Sequence, residues 1–113
     1  MVLQGRGDTT MSRFYIRWHM NPHAVPLDPK ERVDLWMRML EGVRKDLASG
    51  NFKEWGICSD ISAGYCMSEL DEEQLHTVLL KYVPYISFNI KPVLTVDQSI
   101  GSINRATAAA KRA

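Results

Sequence analysis

The first regular pattern in the chain is a strict alternation of apolar and polar positions. Apolar side chains recur at every second residue over residues 13–20, from Phe14 to Met20. This period of two, carried by aromatic and β-branched residues, predicts a strand with one buried face. Asn21 and Pro22 then end the strand, because proline cannot donate a backbone hydrogen bond.

A wide apolar stripe at helical spacing follows this strand. Asp28 is a capping residue, Pro29 suits the first helical position, and Glu31 completes a capping-box pattern. The stripe consists of Val33, Trp36, Leu40, Val43 and Leu47. Ser49 and Gly50 form a stop signal, so the pattern predicts a helix that lies on a sheet through the centre of the stripe.

The second half of the chain repeats these elements. Two strand-like runs predict a hairpin, the first over residues 52–58 and the second from Ile61 or Ala63 to Glu69. A second capping box begins at Asp71, and Pro84 ends the helix that follows it. Residues 85–90 alternate again, which predicts the last strand. The order of elements predicts an α+β fold, a ferredoxin-like βαββαβ sandwich whose four-stranded antiparallel sheet carries two helices on one face.

The length of the chain, 113 residues, suits one domain. We expect a flexible N-terminal tail over residues 1–11 and the ferredoxin-like domain over residues 12–96. Residues 97–113 form a C-terminal segment that is too short and too weakly apolar to be a stable helix alone. It therefore either frays or docks on a partner subunit.

Composition and charge exclude several classes of protein. The chain is 45% hydrophobic and 24% charged, which is ordinary for a globular domain. Its net charge is +1 without a dense run of Lys and Arg, so we expect no nucleic-acid partner. No apolar run approaches the ~20 residues of a membrane span, and the N-terminus lacks a signal-peptide core. With only two cysteines, we expect a cytoplasmic protein without a disulfide framework.

Two helices on one face leave the other face of the predicted sheet uncovered. We expect that open face to carry Tyr15, Arg17, His19, Glu54, Gly64, Cys66, Ser68, Tyr85, Ser87 and Asn89. Such a surface is too aromatic for one that is only solvated and too polar for an ordinary core. It predicts that two copies pack sheet to sheet as a homodimer and enclose a polar cavity.

Part of the sequence resembles the muconolactone isomerase family within the dimeric α+β barrel superfamily. The similar residues are Gly64–Glu69, Leu75–His76, Pro84–Tyr85, Ile90 and Ser99–Ile100. The resemblance implies protomers whose sheets pair into a barrel, with a ligand pocket between sheet and helices or inside the barrel. It also implies a proton transfer within a small lactone that needs no cofactor, and a C-terminal segment that reaches a neighbouring subunit. Arg17 stands where the family has a lysine, and Tyr15 and His19 differ from the family pattern.

The candidate chemistry lies on the open face. Arg17 and His19 are about 7 Å apart by strand rise, so Arg17 could anchor a carboxylate while His19 transfers a proton. Glu54 could orient the histidine or act as the base. The predicted ligand-binding residues are Tyr15, Arg17, Tyr85, Ser87 and Asn89. The alternative is a cross-strand ion pair between Arg17 and Glu54, with His19 an ordinary surface residue.

The sequence predicts neither a metal site nor a cofactor. His19 and His23 have the spacing of helical metal ligands, but Pro22 between them prevents that helix. Two hypotheses for function remain open. The first is a cofactor-independent, isomerase-like enzyme that acts on a small carboxylate or lactone. The second is a non-catalytic ligand-binding or assembly protein, and a small monooxygenase-like enzyme is a third option.

Overall fold

A computed structural model describes residues 12–112 of the chain, and the predicted tail over residues 1–11 lies outside this range. The strands are β1 (Phe14–Met20), β2 (Glu54–Ile57), β3 (Ala63–Ser68) and β4 (Ile86–Pro92). The helices are α1 (Pro29–Ser49), α2 (Glu72–Leu79) and α3 (Val96–Arg112), and a 3-10 turn (Leu80–Tyr82) follows α2. The βαββαβ order is therefore present, with an additional C-terminal helix.

Both predicted helix starts are confirmed, but of the two predicted capping boxes the described residues show only the second in full. The Asp28 side chain accepts a hydrogen bond from the backbone N–H of Glu31, 3.0 Å away, at the start of α1. Asp71 and Gln74 form a reciprocal capping box at the start of α2. Gly50 ends α1 with φ of 86°, a left-handed conformation that glycine adopts without the steric cost of a Cβ atom.

The four strands form one antiparallel sheet in the order β2-β3-β1-β4, with β1 and β3 in the centre. Ile16 on β1 lies opposite Cys66 on β3 and Ile90 on β4, which fixes the register of the sheet. Ile16 and Cys66 pack in one core with Val43 of α1 and Leu75 of α2. Both helices therefore cover the same face of the sheet, as predicted.

The third strand faces the opposite way from the prediction. Cys66 and Ser68 are buried under the helices, while Tyr65 and Met67 share the open face. Directly paired residues of neighbouring strands point to the same side of a sheet, and Cys66 pairs with the fully buried Ile16. The expectation that Gly64, Cys66 and Ser68 lie on the open face is therefore wrong.

The first helix is rotated relative to its predicted contact stripe. Leu35, Val43 and Asp46 are its buried residues. Val33 and Leu40, which were predicted at the contact, remain 47% and 41% exposed. The apolar arc of α1 is wider than the surface that the sheet can cover, so one edge of the arc stays in solvent.

The C-terminal helix α3 has almost no contact with the rest of the domain. All of its residues from 102 to 111 are exposed, including Ile103 at 61%. Val96 and Ile100 continue the same apolar stripe and are 72% and 52% exposed. In the part of the chain that the structure describes, no helix combines the length and the apolar character that a membrane crossing requires.

Candidate functional site

The open sheet face brings together most of the residues predicted to bind a ligand. Arg17 lies opposite Asn89, and His19 lies opposite Ser87, on the neighbouring strands β1 and β4. Arg17 and His19 are both exposed. Tyr15 lies on the same face of β1, so five of the predicted residues form one polar surface.

Glu54 belongs to a separate group on this face. The Tyr65 hydroxyl donates a short hydrogen bond to the Glu54 carboxylate, and this bond raises the pKa of Tyr65. The ring of Tyr15 stacks near Tyr65, with 6.3 Å between the ring centroids. Tyr65 therefore lies on the open face, where it contacts Glu54 and Tyr15, although the predicted direction of β3 placed it toward the core.

The geometry of one chain separates Glu54 from His19. The two residues lie two strands apart across the sheet and four positions apart along it. Strand spacing and rise place them about 16 Å from each other. Among residues 12–112 no ion pair joins Arg17 to Glu54, so the predicted cross-strand pair is not formed. Direct contact between Glu54 and His19 would require a second copy of the chain.

Tyr85 lies apart from the other predicted residues. It precedes the first residue of β4 and lines a groove beside α1 together with Met39 and Tyr82. Alternation along a strand predicts the direction of a side chain only within the paired region, and the pairing of β4 begins at Ile86.

An apolar cavity of about 60 Å³ lies on the opposite side of the sheet, between the sheet and α1. Its lining consists of Trp18, Met20, Trp36, Met39, Leu40, Val43, Phe52, Trp55, Cys66, Tyr82, Ile86 and Phe88. Leu40 is 41% exposed, so the cavity reaches the surface beside α1. The residue patterns placed several of these residues in the core, and the family resemblance implied a ligand pocket either between sheet and helices or inside the barrel.

A stacked pair of tryptophans forms one wall of this cavity. The rings of Trp18 and Trp55 lie 5.6 Å apart between centroids and are inclined by 16°. Gly64 makes room for this arrangement, because a Cβ atom there would lie 2.3 Å from the Trp18 ring and 2.2 Å from the carbonyl oxygen of Gly56. The wall is therefore flat, and its geometry depends on a glycine in the strand between the two rings.

Two buried indole N–H groups have no hydrogen-bond acceptor within residues 12–112. They belong to Trp18, which is 4% exposed, and to Trp36 on α1. A buried donor left without an acceptor costs about 1–3 kcal/mol. Buried polar groups are nearly always paired, so two unpaired donors are an uncommon feature of the domain. Both nitrogens have almost no accessible surface, so they are packed among protein atoms and are not presented to the cavity.

A buried carboxylate anchors the side of the cavity that Tyr82 forms. Lys81 donates to both carboxylate oxygens of Asp46 at 2.8 and 2.9 Å, the Tyr82 hydroxyl donates at 2.6 Å, and the Asn51 amide donates at 2.9 Å. Burial alone would raise the pKa of Asp46, but these hydrogen bonds outweigh it and hold the pKa below its usual range. Asp46 is therefore ionised and fully engaged.

The two titratable groups that line the cavity are both neutral near physiological pH. Burial raises the pKa of the Cys66 thiol to about 12. Burial and the hydrogen bond to Asp46 raise the pKa of Tyr82 above its ordinary value. The cavity therefore presents no charged side chain to a ligand, in contrast to the open face with its Arg17 and His19.

In the range 12–112, no three side chains of His, Cys, Asp or Glu lie close enough together to hold a metal ion. A comparison of the chain with the models of known protein families finds no match, and a search among curated proteins finds none either. The fold and the geometry of the two surfaces are therefore the basis for assigning a function.

Proposed function

We propose that this chain is a small-molecule-binding protein whose ligand occupies the cavity between α1 and the sheet. The observation that carries the proposal is the apolar cavity itself, with its flat aromatic wall and its opening beside Leu40. Ligand sites are concave, mostly apolar and supplied with a few polar groups.

Filling the cavity from α1 tests this proposal. Met39→Trp places a large ring in the lining, whereas Met37→Trp puts the same ring on the same helix at a position that is 61% exposed. A thermal-shift screen of small aromatic compounds should find ligands that stabilise the natural chain and Met37→Trp but not Met39→Trp. A ligand at a hundred times its Kd would stabilise the protein by about 2.7 kcal/mol. Equal stabilisation of Met39→Trp, or no stabilising compound at all, would contradict the proposal.

The open sheet face supports a second part of the proposal, a homodimer of the dimeric α+β barrel type. Tyr15, Tyr65 and Met67 are half-buried apolar or aromatic residues among exposed polar ones, on a face that none of the helices within residues 12–112 covers. Two such faces packed together would remove these side chains from water. The resemblance to the muconolactone isomerase family implies the same mode of pairing.

The C-terminal helix supports assembly beyond that pair. Its stripe of Val96, Ile100 and Ile103 has no partner within the described chain. A groove of about 790 Å³ between α2 and β4 exposes apolar side chains, among them Leu80 and Ile90. We propose that α3 of one copy packs on another copy, since a helix with its apolar stripe in water gains little stability by itself.

Sedimentation equilibrium separates the two contacts. Tyr15→Glu should dissociate the sheet-to-sheet pair, because it would bury a charge in the interface. The control Thr77→Glu introduces the same charge at an exposed position on α2 and should leave the pair intact. A chain that ends at residue 95 should keep the pair and lose any larger assembly. A monomeric natural chain at tens of micromolar would rule out both contacts.

An isomerase-like reaction is the second candidate function, favoured by the adjacent Arg17 and His19 on the open face. In this case Arg17 would anchor a carboxylate and His19 would carry the proton. The double variant Arg17→Ala, His19→Ala should then abolish turnover of a small carboxylate or lactone substrate without a change in Tm. Unchanged turnover would exclude a role for these residues.

A further inference from the structure

We infer that the open sheet face pairs with the same face of a second copy about a two-fold axis that runs along the strands, so that Glu54 of each copy forms an ion pair with Lys91 of the other. The inference rests on the proposed homodimer and specifies how its two sheets are oriented. It is carried by the positions of the charged side chains on the face, which the register of the sheet fixes.

Glu54 and Lys91 lie in one row of the open face, at its opposite edges. Across β2, β3, β1 and β4 the residues paired in this row are Glu54, Met67, Tyr15 and Lys91. Directly paired residues point to the same side of a sheet, so these four side chains share the open face. The row therefore has a negative end, a middle of one apolar and one aromatic side chain, and a positive end.

The two charges of this row cannot meet within one chain. Three strand spacings, about 14 Å, separate Glu54 from Lys91. Both residues are exposed, and among residues 12–112 neither takes part in an ion pair. A second copy is therefore needed to bring an opposite charge to each of them.

An axis along the strands brings both pairs of charges together. Packed sheets keep their strand directions within about 30° of each other, so the two-fold axis of an aligned pair runs along or across the strands. An axis along the middle of the sheet places β2 over β4 of the second copy and keeps the row. Glu54 then faces Lys91 of the second copy, and Met67 faces its Tyr15, on both sides of the axis. Packed sheets lie about 10 Å apart, which a long Glu and a long Lys side chain span together.

An axis across the strands lacks this complementarity. It places each strand over the same strand of the second copy and reverses the rows. Arg17, in the middle row of β1, then faces Arg17 of the second copy, and Lys91 faces the uncharged Ser87. Like charges that face each other across an interface oppose association. The axis along the strands instead moves each Arg17 onto the ring of Tyr65 of the second copy, a favourable cation–π contact.

Orthogonal packing of the two faces is also unfavourable for these charges. Its two-fold axis follows a diagonal of the face, so one corner of the face packs against itself. The diagonal through Lys91 opposes two lysines, and the diagonal through Glu54 opposes two glutamates. Of the four arrangements, only the axis along the strands pairs every edge charge with its opposite.

This orientation assigns Arg17 to the interface. The side chain lies over Tyr65 of the second copy and is withdrawn from a carboxylate ligand. The orientation therefore favours ligand binding in the cavity over the isomerase-like candidate, which needs Arg17 as an anchor.

Charge reversal at the two ends of the row tests the inference on the full chain by sedimentation equilibrium. Glu54→Lys would face Lys91 of an identical copy, and Lys91→Glu would face Glu54. We expect each variant alone to raise the dimer dissociation constant at least about tenfold. An equimolar mixture of the two variants restores both contacts in a heterodimer, whose dissociation constant should return to within about threefold of the natural value.

Two controls separate the ion pair from other effects of the substitutions. Glu73→Lys makes the same change of charge at an exposed position on α2, on the covered side of the sheet, and should leave the dissociation constant unchanged. Glu54 also accepts a hydrogen bond from Tyr65 in its own chain, so a comparison of Lys91→Glu with Lys91→Gln provides a measurement that keeps this bond. Lys91→Glu should weaken the pair more, because only this change brings two carboxylates together.

The outcomes separate the orientation from the proposed homodimer. Single variants that associate as tightly as the natural chain would overturn the orientation while the homodimer stands. The same conclusion would follow if the mixture failed to restore the pair, or if Lys91→Glu and Lys91→Gln behaved alike. A natural chain that is monomeric at tens of micromolar would count against the homodimer itself.

Discussion

Asp46→Asn measures how strongly one buried carboxylate joins α1 to the end of α2. The Asp46 side chain is 3% exposed and accepts four hydrogen bonds from three residues, Lys81, Tyr82 and Asn51. Removing one partner of a buried ion pair costs about 3–5 kcal/mol. Lys81 is 53% exposed, so solvent screens its share of the interaction and lowers the expected cost. We therefore expect a loss of about 2–4 kcal/mol in the free energy of unfolding.

Urea unfolding followed by tryptophan fluorescence provides the measurement. Asp34→Asn is the matched control, because Asp34 is exposed on the same helix and the chemical change is identical. We expect this control to alter the free energy of unfolding by less than about 0.5 kcal/mol. A result for Asp46→Asn as small as that of the control would refute the view that the carboxylate stabilises this contact.

The pH dependence of the stability difference between the natural chain and Asp46→Asn gives an independent check. The pKa of Asp46 lies below its usual value, because its hydrogen bonds outweigh the effect of burial. A carboxyl with a lowered native pKa stabilises the fold fully above its unfolded pKa and loses this contribution as the pH falls through the native pKa. The gap between the natural chain and Asp46→Asn should therefore be constant near neutral pH and should shrink below about pH 4. A gap that widens in acid would contradict the assignment.

Two further predictions concern the core beside the cavity. Gly64→Ala should destabilise the fold by about 3 kcal/mol or more, since its Cβ would overlap Trp18 and a backbone carbonyl. The control Gly101→Ala, on the exposed α3, should be neutral or slightly stabilising. Thermal unfolding of both variants measures the difference. A thiol reagent at pH 8 should modify the exposed Cys58 at once and Cys66 only after unfolding, because burial raises the Cys66 pKa to about 12. Rapid reaction of both thiols in the native protein would contradict the burial of Cys66.

Local signals predicted the four strands and the first two helices correctly, but not the C-terminal helix over Val96–Arg112. Asp28 and Asp71 start the two helices as expected, because an N-cap side chain bonds to backbone groups only three residues away. The alternation that includes Ile16 and Trp18 predicted the buried face of β1. These features depend on neighbours in sequence, so no knowledge of the tertiary structure was needed.

The predicted buried face was wrong in β3 and partly wrong in α1, where the local sequence pattern is compatible with more than one face. In β3 the small residues Gly64 and Ser68 resemble surface positions, yet their strand pairs with β1 in a register that buries Cys66. On α1 the apolar arc was wide enough for more than one contact face, and packing selected the side of Leu35 and Asp46. Both choices were made by contacts between residues that are distant in sequence.

The predicted site was only partly assembled by the fold. Arg17, His19 and Asn89 share the open face because adjacent strands in register carry their side chains to one side. Glu54 lies on the same face but far from His19, since β3 separates β2 from β1. The sequence could not predict this spacing, because strand order in a sheet is not determined by the order of strands along the chain.

The sequence by itself determined the α+β class, the two capped helices and the inward direction of the tryptophans. Periodicity and capping are local, and the burial of large aromatic rings follows from their apolar surface. Only the tertiary structure decided that Trp18 and Trp55 stack across Gly64, that a cavity remains beside them and that two indole N–H groups lack an acceptor within residues 12–112. Each of these features depends on three-dimensional packing between separate elements, which no pattern along the chain records.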